Sequence, residues 1–204
     1  AMMVEHFHEQ VIAKGKIGGQ ARAMVVTSSI PRCIEYFYAI NKHLAERHSP
    51  YKAIVAFSGD HKYNGQEPPL TSAIMNGFAD SKIPKEFKKD PYRFLVVADM
   101  FQTGFDEPLL HTMYVDKQLY DIQAVQTLSR LNRCHPKKHD TCVLDFANKP
   151  EIIQESFSRY YRTTILSGET DPNKLYDLIS AMEKHQVYSR DDIENEVNLY
   201  LNGA

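Results

Sequence analysis

Five short apolar segments alternate with stretches of helical periodicity, and this alternation limits what the chain can fold into. Each segment is a continuous hydrophobic run, as expected of a strand that is buried on both faces. Such strands, separated by helices, predict an α/β fold with a parallel sheet covered by helices on both sides. The predicted strands are residues 23–29, 52–57, 92–97, 111–115 and 141–146. Ligands of parallel sheets bind at the carboxyl ends of the strands, so we expect the functional residues there.

The alternation covers only the central part of the chain. Residues 20–150 form the predicted α/β domain, with its longest helices at 32–47 and 121–133. Residues 1–19 are interpreted as a leader or linker from a preceding unit. Residues 151–204 are interpreted as the start of a C-terminal helical region, with helices at 151–166, 171–186 and 190–201. An alanine before two methionines indicates a piece cut from a longer protein.

Charge and cysteine usage limit the class of protein. The net charge is −2 and no apolar run approaches the length of a membrane-spanning helix, so we expect no membrane partner. Three scattered cysteines favour a reducing cytoplasm over a disulfide framework. Charge is uneven, because residues 151–204 hold ten acidic and five basic side chains and residues 1–150 carry about +3.

The helix predicted at 121–133 has two different faces. One face is apolar and is predicted to enter the core, and the other carries glutamines and arginines at helical spacing. Arginine is suited to phosphate because its planar fork donates two parallel hydrogen bonds and stays charged. A solvated amphipathic helix is the alternative interpretation. The apolar residues are Ile122, Val125, Leu128 and Leu131, and the polar residues are Gln123, Gln126, Arg130 and Arg133.

A glycine-containing turn lies upstream of this helix. Gly104 can adopt positive φ or let a ligand approach closely, and the Asp106 carboxylate can accept hydrogen bonds from ribose or orient an arginine. An ordinary turn is the alternative. The close spacing in sequence of the turn and the arginines predicts that they line one shared edge of the domain and bind a nucleotide.

Hydroxyl side chains end the first predicted strand. Thr27, Ser28 and Ser29 are candidates for holding nucleic-acid phosphates. At least one of them is expected to cap the following helix instead. His135 and His139 have helical spacing, but no acidic or thiol partner is spaced to complete a metal site, so we predict no bound metal.

The chain resembles superfamily 2 helicases and translocases over residues 20–150. Residues 98–106 resemble motif V, the run from Gln126 through Arg130 to Arg133 resembles motif VI, and residues 25–29 occupy the place of motif IV. The segments Thr-Gly-Phe-Asp-Glu-Pro and Gln-Thr-Leu-Ser-Arg-Leu-Asn-Arg are most similar to those of the R, or motor, subunit of type I restriction enzymes. The resemblance implies the second RecA-like domain of an ATP-dependent translocase of double-stranded DNA.

The resemblance also implies roles for individual residues. Arg130 and Arg133 would reach the γ-phosphate of ATP, and Gly104, Asp106 and Gln126 would border the nucleotide. Thr27, Ser28 and Ser29 would face the DNA. Ala98 replaces a motif V threonine that touches nucleic acid in many members, so that contact is either absent or supplied by Thr103.

The sequence contains no phosphate loop of the form G-x-x-x-x-G-K-[S/T], no acidic Mg²⁺-binding box and no nuclease motif. ATP and Mg²⁺ would therefore be bound mainly by a first RecA-like domain of the parent chain, which would be a hydrolase. We predict that this chain alone neither hydrolyses ATP nor cuts DNA. The implied partners are double-stranded DNA, that first domain, and the methyltransferase and specificity subunits. The alternatives are the second domain of another DNA or RNA helicase, or a non-catalytic α/β interaction module with degenerate motifs.

Overall fold

A computed structural model describes residues 1–65, 67–101, 104–160, 194 and 196–198. The chain divides into two compact units, Ala1–Arg162 and Thr163–Ala204. In the second unit the described residues are helical. The predicted helix at 171–186 and most of the one at 190–201 lie outside the described residues, and the predicted domain boundaries stay predictions.

The first unit is built on a five-stranded parallel sheet with strand order β2-β3-β1-β4-β5. Every predicted strand is present, and the predicted α/β, RecA-like arrangement is confirmed. The central strands are buried along nearly their whole length, which explains why they read as continuous apolar runs. The strands are β1 Arg22–Thr27, β2 Lys52–Ala56, β3 Tyr92–Val97, β4 Leu110–Asp116 and β5 Cys142–Asp145.

Helices cover both faces of this sheet, as predicted. In chain order they are α1 Met2–His6, α2 Ile30–Glu46, α3 Ser72–Asn76, α4 Ile83–Glu86, α5 Asp121–Leu128 and α6 Pro150–Tyr160. A π-helical segment, Phe7–Ile12, continues α1, and 3₁₀ segments occur at Lys16–Gly19, Asp80–Lys82 and Ser129–Asn132. No helix among the described residues combines the length and hydrophobicity that crossing a bilayer requires.

Successive strand residues point to opposite faces and build two separate cores. Val25 and Phe94 pack in the core on the side of α1 and α2. Val26 and Leu95 pack in the core on the side of α4 and α5, where Phe157 of α6 also contributes. The domain therefore places α5, which carries the candidate arginines, directly on the sheet.

The first 19 residues pack on the sheet as part of this unit. Val4, Phe7 and Val11 are buried in the α1–α2 core, and the rings of Phe7 and Phe94 lie 4.7 Å apart. The hydroxyl of Tyr114 in β4 donates to the carbonyl of Met3 at 2.9 Å. The segment interpreted as a leader thus contributes to the core of the domain.

Strand β2 lies at one edge of the sheet, and side chains bond its outward-facing backbone groups. The Asn76 amide accepts from the Val55 N–H at 2.9 Å and donates to the Val55 carbonyl at 2.7 Å. Asn41 Oδ1 accepts from the Ala53 N–H at 3.0 Å, and Ser72 Oγ bonds both backbone groups of Phe57. These side chains cover an edge that would otherwise expose unpaired donors and acceptors.

The predicted apolar face of α5 is partly wrong. Ala124 and Thr127 are buried, whereas the side chain of Ile122 is 51% exposed. Small side chains let the helix approach the sheet closely, and the hydrophobic pattern of the sequence does not reflect side-chain size. The α-helix also ends at Leu128 and continues as a 3₁₀ turn, so residues beyond it follow a different period.

Candidate functional site

The Gly104–Asp106 turn and the arginines meet, but at the edge of the sheet opposite to the one expected. In a parallel sheet the crossover helix runs antiparallel to the strands, so α5 starts near the carboxyl end of β4 and leads back to the amino end of β5. The turn likewise lies just before the start of β4. There the carbonyl of Leu109 accepts a hydrogen bond from the N–H of Arg22, the first residue of β1, at 2.9 Å. The predicted shared edge exists, and it is the amino edge.

Arg133 and Asp106 form an ion pair at this edge. Arg133 Nε lies 3.1 Å from Asp106 Oδ1, and the two side chains are 44% and 70% exposed. An ion pair with this exposure contributes about 0–1 kcal/mol. The pair therefore orients the guanidinium without holding it tightly, and both groups are accessible to a ligand.

Arg130 braces the turn from the helix side. Its Nε donates to the Gln126 carbonyl at 3.1 Å and its Nη1 to the Phe105 carbonyl at 3.4 Å. Burial lowers the pKa of Arg130, with a further lowering by the charge of Arg133 and an opposing effect of Asp106. At this site the described hydrogen bonds of Gln126 are accepted by its backbone carbonyl. Arg130 is thus half-buried and bonded to backbone, unlike the more exposed Arg133.

The turn is open beside Gly104 and anchored beside Phe105. Gly104 has φ +70°, and a Cβ built there would have no atom of the described residues within 4 Å. The Phe105 side chain is 3% exposed, and its ring lies 5.1 Å from that of Phe101 and 6.1 Å from that of Phe87. A fixed aromatic side chain next to an open glycine leaves space for a ligand against a defined backbone.

Two residues at this site were missed by the sequence analysis. Glu107 is 2% exposed; its Oε1 accepts from the Leu109 N–H at 3.0 Å, while its Oε2 has no hydrogen-bond partner among the described residues. Lys138 Nζ donates to the carbonyls of Leu131, Arg133 and Pro108. In sequence Lys138 belongs to an ordinary basic pair, and only the fold shows what it contacts.

The hydroxyls after β1 lie at the carboxyl edge, away from the arginines, and differ in access. Thr27 is 1% exposed, and its Oγ1 donates to the Val97 carbonyl of β3 at 2.9 Å and to the Ser29 carbonyl at 3.2 Å. Ser29 caps α2 by accepting from the Arg32 N–H, which confirms the helix-cap interpretation for that residue. Ser28 is exposed, and Thr103 lies outside the described residues.

Charged groups at the carboxyl edge are paired with one another. Lys117 Nζ lies 2.5 Å from Asp99 Oδ1, and Asp116 Oδ2 accepts from the Tyr36 hydroxyl at 2.8 Å and from Arg32 at 3.4 Å. Across the described part of the chain, no group of three or more His, Cys, Asp or Glu side chains could hold a metal ion.

Comparison with known proteins shows a similarity to one family. Residues 71–148, which include the Gly104–Asp106 turn and both arginines, match the family model described as type I restriction enzyme subunit R domain 3. The match covers 78 of the 204 residues, and over this stretch the chain is similar to the R subunit of type I restriction enzymes. The resemblance predicted from motifs V and VI is thereby confirmed.

Curated proteins show the same similarity. The chain is 29% identical over 161 residues to the putative type I restriction enzyme MjaIXP endonuclease subunit of Methanocaldococcus jannaschii, covering 78% of this chain and 14% of that protein. It is 26% identical over 175 residues to the type I restriction enzyme HindI endonuclease subunit of Haemophilus influenzae, covering 80% and 16%. A Staphylococcus aureus endonuclease subunit is 39% identical over 64 residues, covering 31% and 6%. The chain thus spans only a small part of the length of these relatives, which are subunits of restriction enzymes.

Proposed function

We propose that this chain is the second RecA-like half of an ATP-dependent motor that moves double-stranded DNA in a type I restriction enzyme. The observation that carries the proposal is the meeting of two motifs, in which Arg133 pairs with Asp106 and Arg130 bonds the backbone of Phe105. A glycine turn with open space and an accessible arginine guanidinium suits a nucleoside triphosphate. The activity of the parent protein would be that of a hydrolase.

In this proposal Arg133 is the residue that reaches the nucleotide. Its exposed guanidinium would bind the γ-phosphate and stabilise charge in the transition state. Asp106 would orient that guanidinium and accept from the ribose, Gln126 would border the nucleotide, and Arg130 would hold the turn. Mg²⁺ and the remaining phosphates would be bound mainly by the first RecA-like domain, because this sequence supplies no phosphate loop.

We place the DNA contact at the carboxyl edge of the sheet. Ser28 is exposed there and Ser29 begins α2, so a hydroxyl and the start of a helix could receive backbone phosphates. Thr27 supports that edge from inside through its bond to Val97. Methyltransferase and specificity subunits of the parent complex would supply target recognition in the cytoplasm.

The decisive experiment joins this chain to the preceding domain of its parent and measures DNA-stimulated ATPase. Arg133→Ala is expected to lower kcat by about 10³-fold or more, the usual contribution of an arginine finger. Arg47→Ala, which removes an exposed arginine after α2, is the control and should leave kcat unchanged. A wild-type kcat in the Arg133→Ala protein would refute the proposal.

The same protein separates the alternatives. Stimulation by duplex DNA and not by RNA supports a DNA translocase, whereas preferential stimulation by RNA would assign the chain to an RNA helicase. Normal ATP binding in the joined protein, unaffected by either Arg130→Ala or Arg133→Ala, would instead indicate a non-catalytic interaction module.

A further inference from the structure

Lys138 joins the two segments that carry the candidate nucleotide site. Its ammonium lies 2.5 Å from the Leu131 carbonyl, 3.1 Å from the Arg133 carbonyl and 3.4 Å from the Pro108 carbonyl. Leu131 and Arg133 belong to the end of the arginine segment, and Pro108 belongs to the turn that carries Asp106. One side chain therefore connects the backbone of Arg133 to that of Pro108, two residues after Asp106, the ion-pair partner of Arg133.

The chemistry of this contact is well matched. An ammonium has three N–H donors and no acceptor, and the three carbonyls use all of them. The last carbonyls of a helix have no intrahelical partner and carry partial negative charge, so they are good acceptors for a cation. Lys138 satisfies such carbonyls from a position seven residues beyond Leu131 in the chain.

Arg133 depends on this support because its own contact is weak. It follows the 3₁₀ turn in an extended conformation, with φ −77° and ψ 128°, so no further helical hydrogen bonds fix its backbone. Its ion pair with Asp106 is exposed on both sides, and such pairs fix geometry poorly. The described contact that fixes the Arg133 carbonyl is the one from Lys138.

The loop that carries Lys138 is itself anchored to the domain. Asp140 Oδ2 pairs with the ammonium of Lys16, and its Oδ1 lies 3.2 Å from Nε2 of the buried His111 at the start of β4. The ammonium of Lys138 is thus presented from a loop held at both β4 and the segment before β1.

We propose that Lys138 is a positioning residue that fixes Arg133 against Asp106. The geometrical part of this proposal stands on the contacts above. Its consequence for catalysis rests on the proposed function, in which Arg133 reaches the γ-phosphate. Lys138 itself need not touch the nucleotide.

The geometrical part is tested on this chain by NMR of the arginine Nε–Hε groups. The signal of Arg133 is identified as the one lost in Arg133→Lys, and Asp106→Asn shows where it moves when the partner charge is removed. Lys138→Met is expected to shift the Arg133 signal in the same direction as Asp106→Asn. Lys137→Met, which removes the neighbouring exposed ammonium, should leave it in place. An unshifted Arg133 signal in folded Lys138→Met would overturn the proposal.

Two more variants keep the test decisive. Lys138→Arg, which retains a charged donor, should restore the wild-type position of the signal. If Lys138→Met does not fold, Lys138→Gln replaces it, with the same shift expected and the same unshifted signal counting against the proposal.

The catalytic consequence is measured with the preceding domain added. Lys138→Met should lower kcat of DNA-stimulated ATPase by about 10²-fold, the cost of a misplacement of about 1 Å, with the KM for ATP nearly unchanged. In an Arg133→Ala background Lys138→Met should lower kcat no further, because residues that act through one group are not additive. A further loss of kcat of about 10²-fold in the Arg133→Ala background would refute the inference that Lys138 acts through Arg133. An NMR shift combined with a normal kcat for Arg133→Ala would uphold the positioning role and refute the proposed function instead.

Discussion

Replacing Asn76 by alanine removes two hydrogen bonds from β2, which has no neighbouring strand on its outer side among the described residues. Val55, in the middle of β2, is 0% exposed, and the Asn76 amide bonds both its N–H and its carbonyl, at 2.9 Å and 2.7 Å. In Asn76→Ala both backbone groups stay buried without a partner. Because each of the two groups costs about 1–3 kcal/mol, we expect the free energy of unfolding to fall by about 2–6 kcal/mol.

The expected loss is large for a domain of this kind. Natural domains are stable by about 5–15 kcal/mol, and in chains of about 150–250 residues each kcal/mol shifts Tm by about 2–4 °C. Asn76→Ala should therefore lower Tm by about 4–24 °C. The chain has no tryptophan, so urea unfolding followed by far-UV circular dichroism is the suitable assay.

Two other variants make the interpretation specific. Asn41→Ala leaves only the Ala53 N–H unpaired, so its loss should be about half that of Asn76→Ala. Ile74→Ala changes a residue of the same helix that is 56% exposed and should change stability by about 0.5 kcal/mol or less. If Asn76→Ala cost no more than Ile74→Ala, water would have to reach the groups of Val55 and the argument from burial would be wrong.

Two further predictions concern titratable groups. Burial raises the pKa of Cys33 to about 12 and also raises that of the half-buried Cys142, whereas Cys134 is exposed. Ellman's reagent at neutral pH should therefore label Cys134 first, and a fast phase that survives Cys134→Ser would contradict this order. Burial also lowers the pKa of His111 despite its contact with Asp140. In the unfolded state His111 has its ordinary pKa of about 6.5, so as the pH falls the unfolded state takes up a proton on His111 before the folded state does. The free energy of unfolding should therefore fall between about pH 7 and 5, and it should fall less in His111→Gln. Equal slopes in the two proteins would show that His111 does not contribute.

The strands were the most predictable part of the fold. Residues 92–97 form β3 with the predicted bounds, because a buried strand is marked by a local run of apolar residues that polar residues interrupt on both sides. Only part of the α5 prediction was correct, since burial of Ala124 and exposure of Ile122 depend on how closely the helix approaches the sheet. Hydrophobicity along the chain does not record that distance.

The sequence predicted that the turn and the arginines lie together, but it did not predict the contacts that support them. Arg133 and Asp106 are paired as their motifs suggested, but Thr27 is buried beneath the surface it was expected to form. Its hydroxyl bonds Val97, a residue of a neighbouring strand that lies 70 positions away in sequence. A threonine at a strand end has the same local pattern whether it faces a ligand or an adjacent strand.

The sequence by itself determined the parallel sheet and the resemblance to type I restriction enzyme R subunits, and it identified the turn and arginines that meet at one edge. These features depend on local periodicity, on turn-forming residues and on the spacing of a few functional side chains. Only the tertiary structure decided that this edge is the amino edge and that Lys138 holds Arg133 there. The physical reason is that the direction of a crossover helix and the reach of an ammonium to three carbonyls arise when distant segments pack together. Spacing along the chain limits which segments can meet, whereas packing decides which atoms do.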